Sequence, residues 1–204
     1  MTYVLGITGG IASGKSTVIH YLESFHIPIV DGDVIARKIV EKGQPALEEI
    51  KTVFGADIVD KAGNLRRKEL AAIIFGDKSK RKELDELLEP FLRQAIVTEL
   101  MNHKQQAVPL VVVDLPLLFE AKYEHLMDGV AVVFVNQQQQ RERLMKRDQL
   151  SFEAASQRIN SQMPLEEKCL LADFIFDNSH SQYETEQQVA QWLEEHHFKK
   201  KSHG

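Results

Sequence analysis

Cysteine is almost absent from this sequence, since Cys169 is the only one among 204 residues. A single cysteine cannot form a disulfide within the chain, and this usage is typical of proteins from a reducing compartment. The chain also lacks any apolar run of about 18 residues, the length needed to span a bilayer. The basic N-terminal region of a signal peptide is missing too. We therefore expect a cytoplasmic protein that does not enter a membrane.

An excess of basic charge is missing as well. The formal net charge is −5 at pH 7, whereas general nucleic-acid binders are usually basic. Hydrophobic residues make up 43% of the chain and charged residues 27%, which is ordinary for a globular protein. The length suits one domain that carries an insertion. The composition thus predicts a globular protein that does not bind nucleic acid.

The hydrophobic pattern predicts an α/β fold. Five short apolar runs do not alternate with polar residues, and helical patterns separate them. Such runs are typical of a parallel sheet that helices cover on both faces. The predicted strands are residues 4–8, 27–30, 110–114, 130–135 and 174–176. The lysines at 199–201 are expected to form a solvated tail.

A glycine loop follows the first predicted strand. Residues 9–16 read GGIASGKS and match the pattern G-x-x-x-x-G-K-[ST] in full. In this pattern successive N–H groups wrap a phosphate, the lysine reaches the β- and γ-phosphates, and the hydroxyl binds Mg²⁺. A helix that begins near Lys15 adds its positive N-terminal end. The loop therefore predicts a nucleoside triphosphate site. Its members are Gly10, Ile11, Ala12, Ser13, Gly14, Lys15, Ser16 and Thr17.

A second metal ligand is expected at the end of a later strand. Asp114 closes the predicted strand at 110–114, and we assign it to Mg²⁺ together with Ser16; the alternative is a capping or turn aspartate. Leu115 follows, where many ATPase motors carry a glutamate that activates water. The Asn-Lys-x-Asp motif of GTPases does not occur. The pattern favours a kinase.

The separation between the loop and Asp114 indicates an insertion. About 100 residues lie between them, although the strand and helix of one unit need only about 30. We predict that residues 44–106 form a helical domain that binds the acceptor, because water would need no such pocket. The nucleotide-binding core then comprises residues 1–43, 107–136 and 163–204, and residues 137–162 form a lid.

Helical patterns subdivide the insertion and the lid. Within the insertion they cover residues 45–54, 68–75, 80–88 and 91–104. A charged helix opens the lid, and Ser151 is predicted to cap a second helix that runs to Gln162. Two helices joined by a short polar turn are a suitable lid over phosphates.

Acidic and basic side chains complete the predicted site. Asp33 follows the second predicted strand and is our candidate for the base that takes the proton of the attacking hydroxyl, with Asp31 as the alternate. Either aspartate could instead cap the next helix. Arg141 and Arg147 in the lid are candidates for stabilising the transferring phosphoryl group, although such a charged run is usually a solvated helix face.

Seven segments together extend over nearly the whole chain: GITGGIASGKS, VDGDVIAR, GNLRRKEL, VDLPLLFE, RLMKRDQLS, RINSQ and ADFIFDN. In this order they resemble the dephospho-coenzyme A kinase family. The P-loop alone occurs in many families, whereas the DGD and PLLFE segments combined with the pattern R-x5-R…Q in the lid are specific.

The resemblance implies a P-loop core of five parallel strands, a helical CoA-binding domain and a lid. It implies transfer of the γ-phosphate of ATP, with Mg²⁺, to the ribose 3′-hydroxyl of dephospho-CoA. On the matching positions, Asp33 would be the base near that hydroxyl, Arg141 and Arg147 would be lid arginines, and Asn178 would lie near the adenine.

Two residues depart from the family pattern. Ala12 stands where the family usually has glycine, which is tolerable if this residue keeps a negative φ. Glu89 precedes Pro90 where the family often has histidine, so a role of that histidine in substrate binding does not carry over.

Other functions stay open at this point. One is another small-molecule or nucleoside monophosphate kinase, and the other is a regulatory nucleotide-binding module without turnover. The combination of Asp33, Asp114 and the lid arginines speaks against the module. For the assembly we expect a monomer or a weak homo-oligomer.

Overall fold

A computed structural model describes residues 1–198 of the protein; the lysines at 199–201, predicted to be a solvated tail, lie outside the described residues. Within residues 1–198, five strands form one sheet, and each lies where the sequence predicted a strand. They are β1 (Tyr3–Gly9), β2 (Ile29–Asp31), β3 (Leu110–Asp114), β4 (Gly129–Phe134) and β5 (Phe174–Asp177).

The strand order β2-β3-β1-β4-β5 places β1 at the centre of the sheet. β1 runs parallel to both β3 and β4, and β4 runs parallel to β5. Val4, Leu5 and Ile7 of β1 are fully buried, as expected for a strand covered on both faces. Parallel strands end at the same edge, and the register pairs Ile7 with Asp114 there. The glycine loop and Asp114 therefore share one edge of the sheet, where ligands of open α/β sheets bind.

Helices connect the strands and confirm most of the predicted helical patterns. They are α1 (Lys15–Glu23), α2 (Gly32–Lys38), α3 (Pro45–Phe54), α4 (Arg67–Phe75), α5 (Lys78–Gln105), α6 (Gln137–Asp148), α7 (Phe152–Ile159), α8 (Leu165–Leu171) and α9 (Gln182–Glu195). Short 3₁₀ turns occur at Ala56–Ile58 and Glu124–Leu126. None of the helices within residues 1–198 is long and apolar enough to cross a membrane.

One helix prediction was wrong at Pro90. The sequence suggested two helices, over residues 80–88 and 91–104, but α5 is one helix that contains Pro90 in its interior. A proline there removes one backbone hydrogen bond and costs about 3 kcal/mol. Apolar side chains on both sides of it, Leu84 and Leu87 before and Phe91 after, belong to one hydrophobic cluster. This packing keeps the chain helical through the proline.

The chain divides into two compact units. The first comprises residues 1–30 and 102–198 of the described chain, and the second comprises residues 31–101. The predicted acceptor domain, 44–106, differs from the second unit at both ends. At the N-terminal side the reason is Val40, which is buried in the hydrophobic cluster of the second unit. At the C-terminal side, α5 extends to Gln105, so the boundary after residue 101 lies within this helix.

Each unit has a hydrophobic core of its own. In the first, α1 and α9 pack side by side on the sheet, and Leu22, Val189 and Trp192 are buried in their shared cluster. In the second, α3 contributes Ala46 and Ile50 to the cluster. The first unit carries the glycine loop, Asp114 and the whole predicted lid.

Candidate active site

The glycine loop joins β1 to α1, as predicted. Gly14 directly precedes the first helical residue, Lys15, and has a φ of 86°, a left-handed conformation that glycine adopts without strain. The N–H of Ser13 donates to the carbonyl of Gly10 at 3.0 Å, and that of Thr17 donates to the carbonyl of Gly14 at 2.9 Å. The loop is thus a closed turn that leads into the N-terminus of α1, where the first helical N–H groups favour an anion.

Ala12 does not meet the condition of a negative φ under which alanine is tolerable in place of glycine. Its φ is 59°, in the left-handed region. The turn closed between Gly10 and Ser13 contains Ala12 and imposes this conformation. A residue with a Cβ is strained there by about 1 kcal/mol or more. The glycine that the family usually has would not be strained at this position.

The glycines of the loop also make room for neighbouring side chains. A Cβ on Gly14 would lie 2.0 Å from Nδ2 of Asn178, and a Cβ on Gly10 would lie 2.4 Å from Nε2 of Gln140. Both distances are far below van der Waals contact. Glycine at these two positions therefore lets amide side chains from distant segments reach the backbone of the loop.

Lys15 and Asp114 form an ion pair at the edge of the sheet, between Nζ and Oδ1. Their side chains are only 19% and 13% exposed. Ser16, on the first turn of α1, is exposed. A hydroxyl and a carboxylate oxygen are hard donors of the kind that Mg²⁺ prefers, and Mg²⁺ commonly takes few protein ligands. The donors that Ser16 and Asp114 offer thus fit the predicted metal.

Asn178 braces the loop from the end of β5. It is 6% exposed, and its Nδ2 donates to the carbonyl of Ser13 at 2.8 Å. Its Oδ1 accepts a hydrogen bond from the hydroxyl of Thr185 at 2.9 Å. The side-chain amide therefore contacts both the glycine loop and α9. The adenine contact implied by the family resemblance stays a prediction.

Arg147 and Asp148 form a bidentate pair at the end of α6. Arg147 donates from Nε to Oδ1 at 2.8 Å and from a terminal nitrogen to Oδ2 at 3.2 Å. Arg158 of α7 donates to the same Oδ2 at 2.6 Å. The hydrogen bond from Arg147, and then the charges of both arginines, lower the pKa of Asp148 below its ordinary value. Asp148 thus fixes both arginines at the α6–α7 turn, and the phosphoryl contact of Arg147 stays a prediction.

Arg141 and Arg143 lie in different surroundings on α6. The guanidinium of Arg141 stacks on the ring of Phe152, 4.4 Å from its centroid, and so joins the two lid helices. Arg143 donates to the backbone carbonyl of Asn178 at 2.9 Å. A second terminal nitrogen of Arg143 lies 3.5 Å from the position of a Cβ on Gly14. Arg143, for which we predicted no specific role, therefore lies directly beside the glycine loop, within the predicted lid.

Two glutamines of the predicted lid contact the glycine loop at one residue. Gln140 donates from Nε2 to the carbonyl of Ile11, and Oε1 of Gln162 accepts from the N–H of Ile11, both at 2.8 Å. Gln162 can reach the loop because α7 ends at Ile159, three residues before the predicted end. In the sequence the glutamine run at residues 137–140 is explained by a helix surface, so we predicted no role for Gln140; the structure instead buries its side chain. Its spacing from Leu144, which is buried one turn later on α6, is the signal that could have identified it.

A buried lysine anchors the segment that follows the lid. Lys168 of α8 is 0% exposed, and its Nζ lies 2.9 Å from Oε1 of Glu120 and donates to the carbonyl of Pro116 at 2.8 Å. The same Oε1 accepts from the N–H of Met163, the first residue after the lid, at 3.1 Å. The hydroxyl of Thr8, at the end of β1, also donates to Pro116. This network joins the lid base to the strand that carries the glycine loop.

Comparisons with known proteins agree on one family. A family model described as dephospho-CoA kinase matches residues 3–184. A dephospho-CoA kinase of Enterococcus faecalis is 55% identical over 200 residues, which is 98% of this chain and all of the relative. The chain belongs to the dephospho-CoA kinase family.

Solved structures agree with this assignment. A dephospho-CoA kinase from Campylobacter jejuni superposes with a TM-score of 0.75 at 32% identity, over 96% of this chain and 97% of the other. The protein TT1252 from Thermus thermophilus superposes with a TM-score of 0.80 at 33% identity, over 95% and 97%. The predicted fold, a five-stranded parallel P-loop core flanked by helices, is confirmed.

The DGD segment of the dephospho-CoA kinase family lies in the second unit. The side chain of Asp31 accepts the N–H of Val34 at 3.0 Å and caps α2. Asp33 is exposed in the first turn of that helix. The capping role that we left open for either aspartate therefore falls to Asp31.

Glu89, the other departure from the family pattern, forms an ion pair with Arg93 one turn later on α5. Both side chains are more than a quarter exposed, at 39% and 30%. An exposed pair at this spacing contributes about 0.3–0.5 kcal/mol to a helix. In this family member the position thus helps to stabilise α5 and carries an acid that pairs with a neighbouring arginine.

Proposed function

We propose that this protein is a dephospho-CoA kinase, which transfers the γ-phosphate of ATP to the ribose 3′-hydroxyl of dephospho-CoA in the last step of coenzyme A biosynthesis. The observation that carries the proposal is the complete P-loop, with Lys15 paired to Asp114 at the shared edge of β1 and β3, in a chain of this family. In the reaction a bond forms between the 3′-oxygen and the γ-phosphorus. The bond from that phosphorus to the β-γ bridging oxygen breaks, and ADP leaves.

The loop residues 10–17 bind the phosphates of ATP in this proposal. The N–H groups of the loop and of the first turn of α1 would hold the phosphate oxygens, and Lys15 would balance their charge. In the structure Lys15 is paired with Asp114. We infer that Lys15 exchanges this carboxylate for phosphate oxygens when ATP binds, because both partners are anionic oxygens.

Mg²⁺ would be held by Ser16 and Asp114, whose oxygen donors fit it. When bound, the ion neutralises negative charge on the phosphates. Release of Asp114 from Lys15 would leave this carboxylate available to the ion. When Lys15 changes its partner from Asp114 to the phosphates, Lys15 would bind ATP and Asp114 would bind Mg²⁺.

Asp33 is proposed as the base. It would accept the proton of the 3′-hydroxyl as that oxygen attacks phosphorus. Asp33 suits the role better than Asp31, because the carboxylate of Asp31 is used by the N-terminus of α2. The helical unit would bind the rest of dephospho-CoA, and its predicted extent, 44–106, stays a proposal.

The lid would supply positive charge at the donor. Arg143 lies beside the loop in the structure, and Arg147 is held at the α6–α7 turn by Asp148. We infer that Arg147 acts on the phosphoryl group after it leaves Asp148, whereas Arg141 keeps α6 and α7 together through Phe152. A cytoplasmic location and a monomeric or weakly oligomeric state stay expectations from the sequence.

The experiment that tests the proposal measures ATP consumption with and without dephospho-CoA. We expect consumption that depends on dephospho-CoA, with a product that carries one additional phosphate at the 3′-position. Lys15→Ala should lose most of this activity and remain folded by circular dichroism, because Lys15 lies at the loop and not in a hydrophobic cluster. Consumption at the same rate without an acceptor, or an active Lys15→Ala enzyme, would overturn the assignment.

A further inference from the structure

Ile11 is held at both of its backbone polar groups by the lid. Its carbonyl accepts from Gln140 of α6, and its N–H donates to Gln162, which follows α7. The two glutamines come from opposite ends of the segment 137–162, and both hydrogen bonds are 2.8 Å long. The lid is therefore tied to the glycine loop at one residue from both of its ends.

The surroundings of Gln140 show that this contact is built into the fold. Gln140 is 3% exposed, whereas Gln137 and Gln138 of the same run are exposed on α6. A buried amide is costly unless it is hydrogen-bonded. Glycine at position 10 also leaves the space that Nε2 of Gln140 occupies. This buried amide nitrogen donates its hydrogen bond to the loop carbonyl of Ile11.

Fixing Ile11 fixes the turn that follows it. The hydrogen bond from Ser13 to Gly10 closes a four-residue turn whose two central residues are Ile11 and Ala12. Ala12 is held in the left-handed conformation within that turn. Orientation of the peptide groups at Ile11 therefore affects where the following N–H groups point, and those N–H groups bind phosphate in a P-loop.

We propose that Gln140 and Gln162 are positioning residues, which couple the lid to the phosphate loop and hold that loop in its ATP-binding shape. The proposal rests on the proposed function only in taking ATP as the ligand of the loop. Loss of either side chain leaves Ile11 tethered at one end, so the loop samples more conformations and binds phosphates less tightly. Because both act on the same residue, their effects should be coupled.

The test uses side chains of similar shape that cannot form these hydrogen bonds. The variants are Gln140→Met, Gln162→Met and the double variant. Gln138→Met is the matched control, because Gln138 is exposed on the same helix and its amide bonds to Glu142 one turn away. The dissociation constant for ATP is measured by titration without an acceptor, and KM for ATP, KM for dephospho-CoA and the melting temperature are measured alongside.

We expect each single variant to raise the dissociation constant and KM for ATP by about 3- to 10-fold, the effect of one net hydrogen bond. KM for dephospho-CoA should stay within about twofold, and the double variant should lose less than the product of the two single effects. Gln162→Met keeps the test decisive if Gln140→Met does not fold, because Gln162 is not fully buried.

The inference is overturned if the variants bind ATP as the Gln138→Met control does, even when their melting temperatures fall. That result would make the two glutamines structural only. Absence of ATP binding in the unaltered protein is a different outcome, since it would overturn both the proposed function and this inference. The titration thus separates a failure of the inference from a failure of the function.

Discussion

At the scale of single residues, Ala12 is the position where the chain departs most clearly from what its side chain prefers. Its φ of 59° is imposed by the closed turn of the phosphate loop. Local sequence could not predict this conformation, because alanine by itself favours negative φ. The departure from the family's usual glycine was visible in the sequence, but its consequence required the backbone.

Ala12→Gly should therefore raise the free energy of unfolding by up to about 1 kcal/mol, because glycine relieves the left-handed strain. Urea unfolding measures the change. Ala72→Gly is the matched control, since Ala72 is exposed within α4 and the same substitution there should lower the free energy of unfolding by about 1 kcal/mol. A loss of stability of equal size at both positions would show that Ala12 is not strained.

Asp31 and Asp33 provide a second test at this scale, because the structure gives the helix cap to only one of them. Asp33→Asn should lower kcat by about 10²-fold or more while ATP affinity is nearly unchanged, as expected when a base is removed. Asp31→Ala should instead lower the free energy of unfolding by about 1 kcal/mol, the typical value of an N-cap. Measurements of kcat and thermal melts on both variants distinguish a catalytic base from a helix cap. If Asp33→Asn lowers only the melting temperature and leaves kcat unchanged, Asp33 is not the base.

At the scale of elements, short stretches of sequence predicted the strands and helices whose formation depends mainly on neighbouring residues. The five strands were predicted from short continuous apolar runs, most helices from apolar periodicity, and the glycine loop from its spacing. The break predicted at Pro90 was wrong, because packing of α5 on both sides of the proline outweighs its local cost. Gln140 was missed for the same kind of reason, since its partner Ile11 is 129 positions away in the chain.

A prediction at the scale of elements concerns Arg147 at the end of helix α6. Arg147→Lys keeps the positive charge but loses the planar guanidinium, so kcat should fall by about 10-fold or more while the fold persists. Arg158→Lys is the control, because Arg158 also bonds to Asp148 but has no proposed phosphate contact. Initial rates at saturating ATP and acceptor measure the difference. Equal rates for the two variants would assign Arg147 to the α6–α7 turn alone.

At the scale of the whole molecule, the chain is one nucleotide-binding unit and one helical unit, each with its own core. Such a division suits a kinase whose donor site is common to many proteins and whose acceptor is specific. In the proposed mechanism the P-loop binds the phosphate donor and Asp33 accepts the proton of the attacking hydroxyl, but neither selects the molecule that carries this hydroxyl. Selection must then come from contacts remote from the reacting atoms, whose binding energy positions the hydroxyl.

The most direct test of this account compares dephospho-CoA with AMP as acceptors. Both present a ribose 3′-hydroxyl, and only dephospho-CoA carries the pantetheine arm. We predict that kcat/KM for dephospho-CoA exceeds that for AMP by about 10²-fold or more, which corresponds to a few kcal/mol of remote binding energy. Equal values of kcat/KM for the two acceptors would contradict the account and would indicate a nucleoside monophosphate kinase instead.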